Sequence, residues 1–175
     1  AIDYYEKAQM ENSTKDVERL IKNTMLKKKQ ADKLAYINPE LAEEAKARGN
    51  DAFRAEQWAK AIDEYEEAIK RDPANPAYRN NLAATLCKVM DFQGAKSNCE
   101  KALELDPKYV KAWARKGDIE SLQKEYHKAM ESYQTGLKIE PDNKACRDGL
   151  AKVTYQINMM SSSGEVDKER AAHGM

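Results

Sequence analysis

Two cations one helical turn apart open the problem. In "KAWARKGD", residues 111–118, Lys111 and Arg115 fall on the same face if the stretch is helical. Like charges at that spacing cost an isolated helix roughly 0.2–0.5 kcal/mol. A second pair of the same spacing, Lys46 and Asn50, stands in "KARGN", and "YRNNLAA" supplies Asn81. Lysine and arginine give positive charge and charge-assisted donors, and asparagine gives side-chain amide donors. If the fold brings these five together, they repel one another until an anion binds. Each good charge-assisted hydrogen bond to that anion is worth roughly 1.5–3 kcal/mol. A peptide C-terminus ending in aspartate fits, because it presents two carboxylates close together. Taken singly, each residue has an ordinary reading: Lys46 can pair with Glu43, and Arg115 with Asp118.

What positions them is a repeat. Pro73, Pro107 and Pro141 are 34 residues apart, as are Ala61, Ala95 and Ala129, and Trp58, Phe92 and Tyr126. Gly49, Ala83 and Gly117 keep the same step, as do Tyr65, Cys99 and Tyr133. Three gapless copies therefore start near Ala42, Pro76 and Val110. Each copy reads as two helices joined by a short turn, and proline closes each copy because it cannot continue a helix. Asn38-Pro39 and Asn75-Pro76 are cap-plus-proline pairs that open the next helix. Numbered within the copies, the five polar residues occupy positions five and nine, then six, then two and six. All lie on the first helix of their copy, and stacking the copies would bring them together.

The flanks follow the same logic. "AIDYYEKA" reads as the second helix of an earlier copy, with Ala1, Tyr5 and Ala8 matching Ala61, Tyr65 and Ala68; this remnant is expected over residues 1–13. A Lys-rich linker helix is expected over 14–38, with Val17, Leu20, Ile21 and Leu34 on an apolar side and "LKKK" on a solvated one. A capping helix over 144–159 would turn Cys146, Leu150, Val153 and Ile157 toward the last copy. Residues 160–175 read as a flexible linker.

Composition sets the limits. The 175 residues carry 30 basic and 30 acidic side chains, so the formal net charge is zero. Charge recognition must then be local, and neither nucleic acid nor a membrane is an expected partner. Cys87, Cys99 and Cys146 read as small buried residues in a reducing compartment. Asn12-Ser13-Thr14 matches a glycosylation sequon but reads as a chance tripeptide. His127, placed in the inter-helix turn of the third copy, and His173, in the tail, form no catalytic pair. No phosphate loop, zinc spacing or nucleophile elbow appears. Neither an enzyme nor a cofactor is expected, and the chain is expected to be monomeric and cytoplasmic.

The 34-residue period, with its small, aromatic and proline positions, resembles the tetratricopeptide repeat over residues 42–143. That resemblance implies an all-α, right-handed superhelix of three repeats (about 42–75, 76–109 and 110–143), whose first helices line a concave groove. Lys46, Asn50, Asn81, Lys111 and Arg115 resemble the dicarboxylate clamp of chaperone-binding tetratricopeptide domains. The clamp implies capture of the Glu-Glu-Val-Asp tail of cytosolic heat-shock chaperones. By the same analogy Ala84, Lys88 and Leu122 contact the valine and the residues before it; ordinary packing or solvated surface suits them as well. "AYINPELAEEAKARGNDAF" is similar to the junction between the second and third such domains of the Hop family, the organising co-chaperones of heat-shock proteins 70 and 90. The downstream domain of that pair is associated mainly with heat-shock protein 70, so its tail is the expected partner. The heat-shock protein 90 tail is the alternative, and a scaffold using its convex face is the rival of another class.

Overall fold

The computed structural model describes the backbone of residues 2–162 and the side chains of 10–161. It contains eight α-helices and, among the described residues, no strand. Two compact units divide at Asn38. The first is one continuous helix, α1 (Ile2–Tyr36), which runs through the expected boundary near residue 14 without a break. Val17, Leu20, Ile21 and Leu34 are all exposed on it. The match of Ala1, Tyr5 and Ala8 to a repeat position lies outside the described side chains.

The second unit holds the repeats. Helices α2 (Pro39–Arg54) and α3 (Trp58–Arg71) form the first pair, and α4 (Pro76–Lys88) and α5 (Phe92–Leu105) the second. Helices α6 (Val110–Leu122) and α7 (Tyr126–Ile139) form the third, and α8 (Lys144–Ser162) covers it. Each helix packs on the next along the chain, and first helices also meet across copies, α4 with α6 and α6 with α8. In the last helix Cys146 and Val153 are buried against Val110, Ala129 and Tyr133, with Leu150 and Ile157 beside them. This helix reaches Ser162, so residues 160–162 are helix rather than linker. Residues 163–175, with His173, lie outside the described ones. His127 sits in the first turn of α7, not in the connection before it.

The repeat shows in the turns. Glu56, Met90 and Lys124, one per copy, have φ of 57°, 63° and 61°. Each closes a first helix in the same way. The amides of Gln57, Asp91 and Glu125 donate to the carbonyls of Ala52, Leu86 and Glu120 at 2.8–2.9 Å. Those of Glu56, Met90 and Lys124 donate to Phe53, Cys87 and Ser121 at 3.0–3.2 Å. This is the paired-bond termination that glycine usually supplies. At the other junction Asn75 accepts from the Ala77 amide at 3.0 Å with Pro76 in the first turn, as the sequence predicts.

Small and large residues alternate between paired helices. A Cβ on Gly49 would lie 2.8 Å from the Tyr65 ring, and one on Gly117 would lie 2.6 Å from the Tyr133 ring. In the middle copy Cys99 replaces the tyrosine, and Ala83 fits at the glycine position with no exposed surface. Tyr133 is held from both sides, because a Cβ on Gly149 would meet it at 2.4 Å. The ring cannot retreat from one helix without striking the other. Gly117→Ala is therefore expected to destabilise the domain by roughly 1–3 kcal/mol. At roughly 2–4 °C per kcal/mol for a chain of this size, thermal unfolding should show it. An unchanged midpoint would contradict this packing.

Between the second and third copies the core holds a carboxyl side chain. Glu120 is buried; it accepts from the Ser132 hydroxyl at 2.6 Å and faces Lys96 at 3.6 Å and Lys116 at 3.8 Å. Lys96 also reaches Glu125 at 3.0 Å. This bond to Lys96 holds the Glu125 carboxyl below its ordinary value, and burial opposes it.

Candidate functional site: a groove along the first helices

The tyrosines that lock the pairs also organise the groove. Passing over Gly49, the Tyr65 hydroxyl emerges beside the next residue and donates to Asn50 Oδ1 at 2.8 Å. Asn81 Nδ2 donates to the same oxygen at 3.4 Å. With its oxygen so occupied, Asn50 is left with its amide N–H groups to donate. Burial raises the Tyr65 pKa, so the phenol stays a donor at neutral pH. In the third copy Tyr133 passes over Gly117 and donates to Asp118 Oδ1 at 2.7 Å.

Asn50, Asn81 and Arg115 line one open cavity of about 400 Å³ on the first-helix face of the repeats. Ala84, Lys88 and Leu122 line the same cavity, so six of the eight residues singled out in the sequence meet there. Lys46 and Lys111 do not line it; they stand one helical turn before Asn50 and Arg115 on α2 and α6. Lys46 pairs with Glu43, and its ammonium lies 6.0 Å from the Tyr78 ring centre. The Lys46 bond first, then the Tyr78 hydroxyl, holds the Glu43 carboxyl below its ordinary value, so Lys46 has an anion beside it in the absence of ligand. Lys111 is exposed and makes no hydrogen bond or ion pair among the described residues.

Arg115 does not pair with Asp118. Its Nε donates to Asn80 Oδ1 at 3.1 Å, across from α6 to α4. Asn80 is 4% exposed, so this contact is fixed in the core. It engages the guanidinium through Nε, and neither terminal nitrogen makes a hydrogen bond or ion pair among the described residues; two such nitrogens form the fork that grips a carboxylate. Asn80 was not among the sequence candidates. Neither were Phe53, Tyr65, Cys87 and Asp118, which also line the cavity. Most of them were within reach of the 34-residue register: Phe53 and Cys87 are equivalent positions, and so are Asn50, Ala84 and Asp118. Cys87 is half-buried at the cavity wall, unlike the buried Cys99 and Cys146, and all three thiols are unpaired. Burial raises the Cys87 pKa and pushes that of Cys99 up to about 12.

The arrangement of amides and cations can hold an anion. Among the described residues no cluster of histidine, cysteine and carboxylate side chains could hold a metal ion. No helix there is long and apolar enough to cross a membrane.

Residues 49–89 match the family described as TPR repeat, and residues 90–153 match Tetratricopeptide repeat. The complex of the yeast Sti1 TPR2B domain with pHsp70 is 32% identical, with a TM-score of 0.63 over 67% of this chain and 98% of that one. The chain belongs to the tetratricopeptide-repeat family. Within it the relatives include the Hsp70-Hsp90 organizing proteins. The one from Triticum aestivum is 35% identical over 169 residues, which is 97% of this chain and 29% of that protein. The chain thus spans under a third of that relative's length. The TPR2AB domain of yeast Sti1, solved as a complex with pHSP90, is 34% identical with a TM-score of 0.75, over 87% of this chain and 62% of that one. The second TPR domain of human RPAP3, solved with the HSP70 peptide SGPTIEEVD, is 31% identical with a TM-score of 0.62, over 67% and 98%. The all-α tetratricopeptide superhelix expected from the period is therefore the fold of this chain, with α2, α4 and α6 as its groove-lining helices.

Proposed function

We propose that this tetratricopeptide domain is a co-chaperone adaptor that captures the acidic C-terminal tail of a heat-shock protein 70. Asn50, Asn81 and Arg115 donate to the terminal carboxylates, and Lys46 and Lys111 close the clamp from one turn away. One observation carries this reading: Arg115 is anchored through Nε to a buried asparagine, in a cavity whose other wall is two asparagine amides. An arginine held through Nε by an intramolecular partner still has its two terminal nitrogens to offer a bidentate anion. Lys111, without a partner of its own, adds charge where the repulsion noted in the sequence needs an anion to offset it.

The choice of heat-shock protein 70 rests on the TPR2B match, which spans nearly that whole domain. The longer TPR2AB match to a pHSP90 complex makes the heat-shock protein 90 tail the second reading. Both ligands belong to chaperones of the cytosol, and capture of a tail is an adaptor's work rather than an enzyme's.

Side-by-side calorimetry with the two tails tests the assignment. One site per chain is expected, with the heat-shock protein 70 tail favoured by less than tenfold, which is under about 1.4 kcal/mol. A clear preference for the other tail would remove the partner assignment. Failure of both to bind would return the groove charges to ordinary surface and favour the scaffold.

A further inference from the structure

The cavity that can hold an anion carries an anion of its own. Of the residues lining it, Lys88 and Arg115 are cations and Asp118 is the single carboxylate. Asp118 is exposed on α6, three residues after Arg115. Side chains at that spacing meet on a helix. A carboxylate there is a resident competitor, because it can take the same guanidinium fork that a ligand's terminus would use. Yet Arg115 bonds to Asn80, and it makes no pair with Asp118 among the described residues.

Tyr133 is what holds Asp118. From α7 its hydroxyl donates to Asp118 Oδ1 at 2.7 Å. Tyr133 lines a neighbouring open cavity of about 470 Å³ between α6 and α8, and it does not line the first cavity; Asp118 lines both. The bond therefore draws the carboxylate toward the second space. The ring has no room to follow a different course, since Cβ atoms on Gly117 and Gly149 would meet it at 2.6 Å and 2.4 Å. Burial first, then the bond to Asp118, raises the Tyr133 pKa, so the hydroxyl keeps its proton and stays a donor. Only the third copy needs this restraint. At the position of Asp118 the first two copies carry Asn50 and Ala84, which have no charge.

We infer that Tyr133 is a positioning residue of the groove: by holding Asp118 it keeps a built-in carboxylate off Arg115 and leaves the guanidinium to the ligand. The inference rests on the proposed capture of a terminal carboxylate by Arg115. Without the hydroxyl, Asp118 turns back along α6 to Arg115, and the ligand must displace it. The loss is then one of affinity, carried by charge, and it disappears when Asp118 has no charge to offer.

The experiment titrates a Glu-Glu-Val-Asp peptide into the full chain and into Tyr133→Phe, Asp118→Asn and the double variant. Phenylalanine keeps the ring between the two glycines, and asparagine keeps an oxygen for the hydroxyl. Circular dichroism checks that each protein is folded at the titration temperature. Tyr133→Phe should bind about three- to fivefold more weakly, as a part-exposed ion pair competing with the ligand requires. The double variant should bind as Asp118→Asn does, and raised salt should shrink the Tyr133→Phe loss. Asp118→Asn alone should tighten binding by less than about twofold, because a carboxylate held elsewhere acts on Arg115 only through screened solvent. An undiminished affinity in Tyr133→Phe would overturn the inference. So would a loss of the same size with and without the Asp118 carboxylate, which would make the hydroxyl merely structural. Asp118→Asn tightening binding threefold or more would show that Asp118 already competes in the natural chain, and this arm decides even if Tyr133→Phe does not fold. Any of these results with the peptide still bound by the natural chain leaves the clamp standing. Failure of the natural chain to bind the peptide would remove the clamp, and the role of Tyr133 with it.

Discussion

Arg115→Ala is expected to weaken binding of a Glu-Glu-Val-Asp peptide by at least tenfold, and Lys111→Glu by at least as much. Arg115 offers a fork of charged donors, each worth roughly 1.5–3 kcal/mol in a good hydrogen bond, and tenfold in affinity needs about 1.4 kcal/mol. Lys111→Glu does more than delete a donor; it sets a negative charge beside the bound carboxylates. Neither variant should unfold the domain. Lys111 is exposed, and Arg115 contributes one bond to Asn80 while its helix is held by the buried Val110, Ala114 and Ile119. Loss of the Arg115 bond leaves Asn80 Oδ1 unpaired in the core, which costs about 1–3 kcal/mol of stability. The helical signal at working temperature should therefore be measured beside the affinity. Unchanged affinity with an intact helical signal would remove the clamp.

Much of this arrangement is legible in the sequence because the repeat fixes a coordinate system. Once Gly49, Ala83 and Gly117 share a position, any polar residue can be placed on or off the groove by its offset. Asn81 and Arg115, equivalent positions in consecutive copies, line the same cavity. The offsets do not say where a long side chain ends. Lys46 was expected among the converging cations, with Glu43 as its ordinary helical partner; its flexible stem carries the ammonium to Glu43, and also to the face of Tyr78 on another helix, which spacing does not show. Arg115 was given Asp118 as its helical neighbour, yet Asp118 is taken by the Tyr133 hydroxyl and Arg115 by Asn80. Both contacts cross between helices, and spacing along one helix holds no information about them.

The turns were less legible for a different reason. Left-handed residues usually announce themselves as glycine, because a Cβ makes that conformation costly by roughly 1–2 kcal/mol. Here glutamate, methionine and lysine occupy it, and the repeated pair of backbone bonds enforces it at each copy. The glycines are placed instead where tyrosine rings cross, at Gly49, Gly117 and Gly149. The length of α1 was also hidden. The sequence offers a repeat-like segment and then a Lys-rich one, but no proline or glycine falls between residues 2 and 36 to separate them.

The central claim is that this groove reads a free C-terminal carboxylate, and one titration tests it most directly: SGPTIEEVD against the same peptide with an amidated terminus. Amidation keeps every side chain, including the final aspartate, and removes one negative charge and its acceptor oxygen. Asn50, Asn81 and Arg115 would then face an amide that brings its own donors toward theirs. Binding of the amidated form should fall by more than tenfold, since the charge-assisted bonds lost exceed about 1.4 kcal/mol. Because the groove is open to solvent, the free-acid peptide should also bind more weakly as salt is raised, and the difference between the two peptides should narrow with it. A free-acid peptide that binds far tighter than its amide, with the gap closing at high salt, is the predicted result. Equal affinity of the two forms would contradict the account.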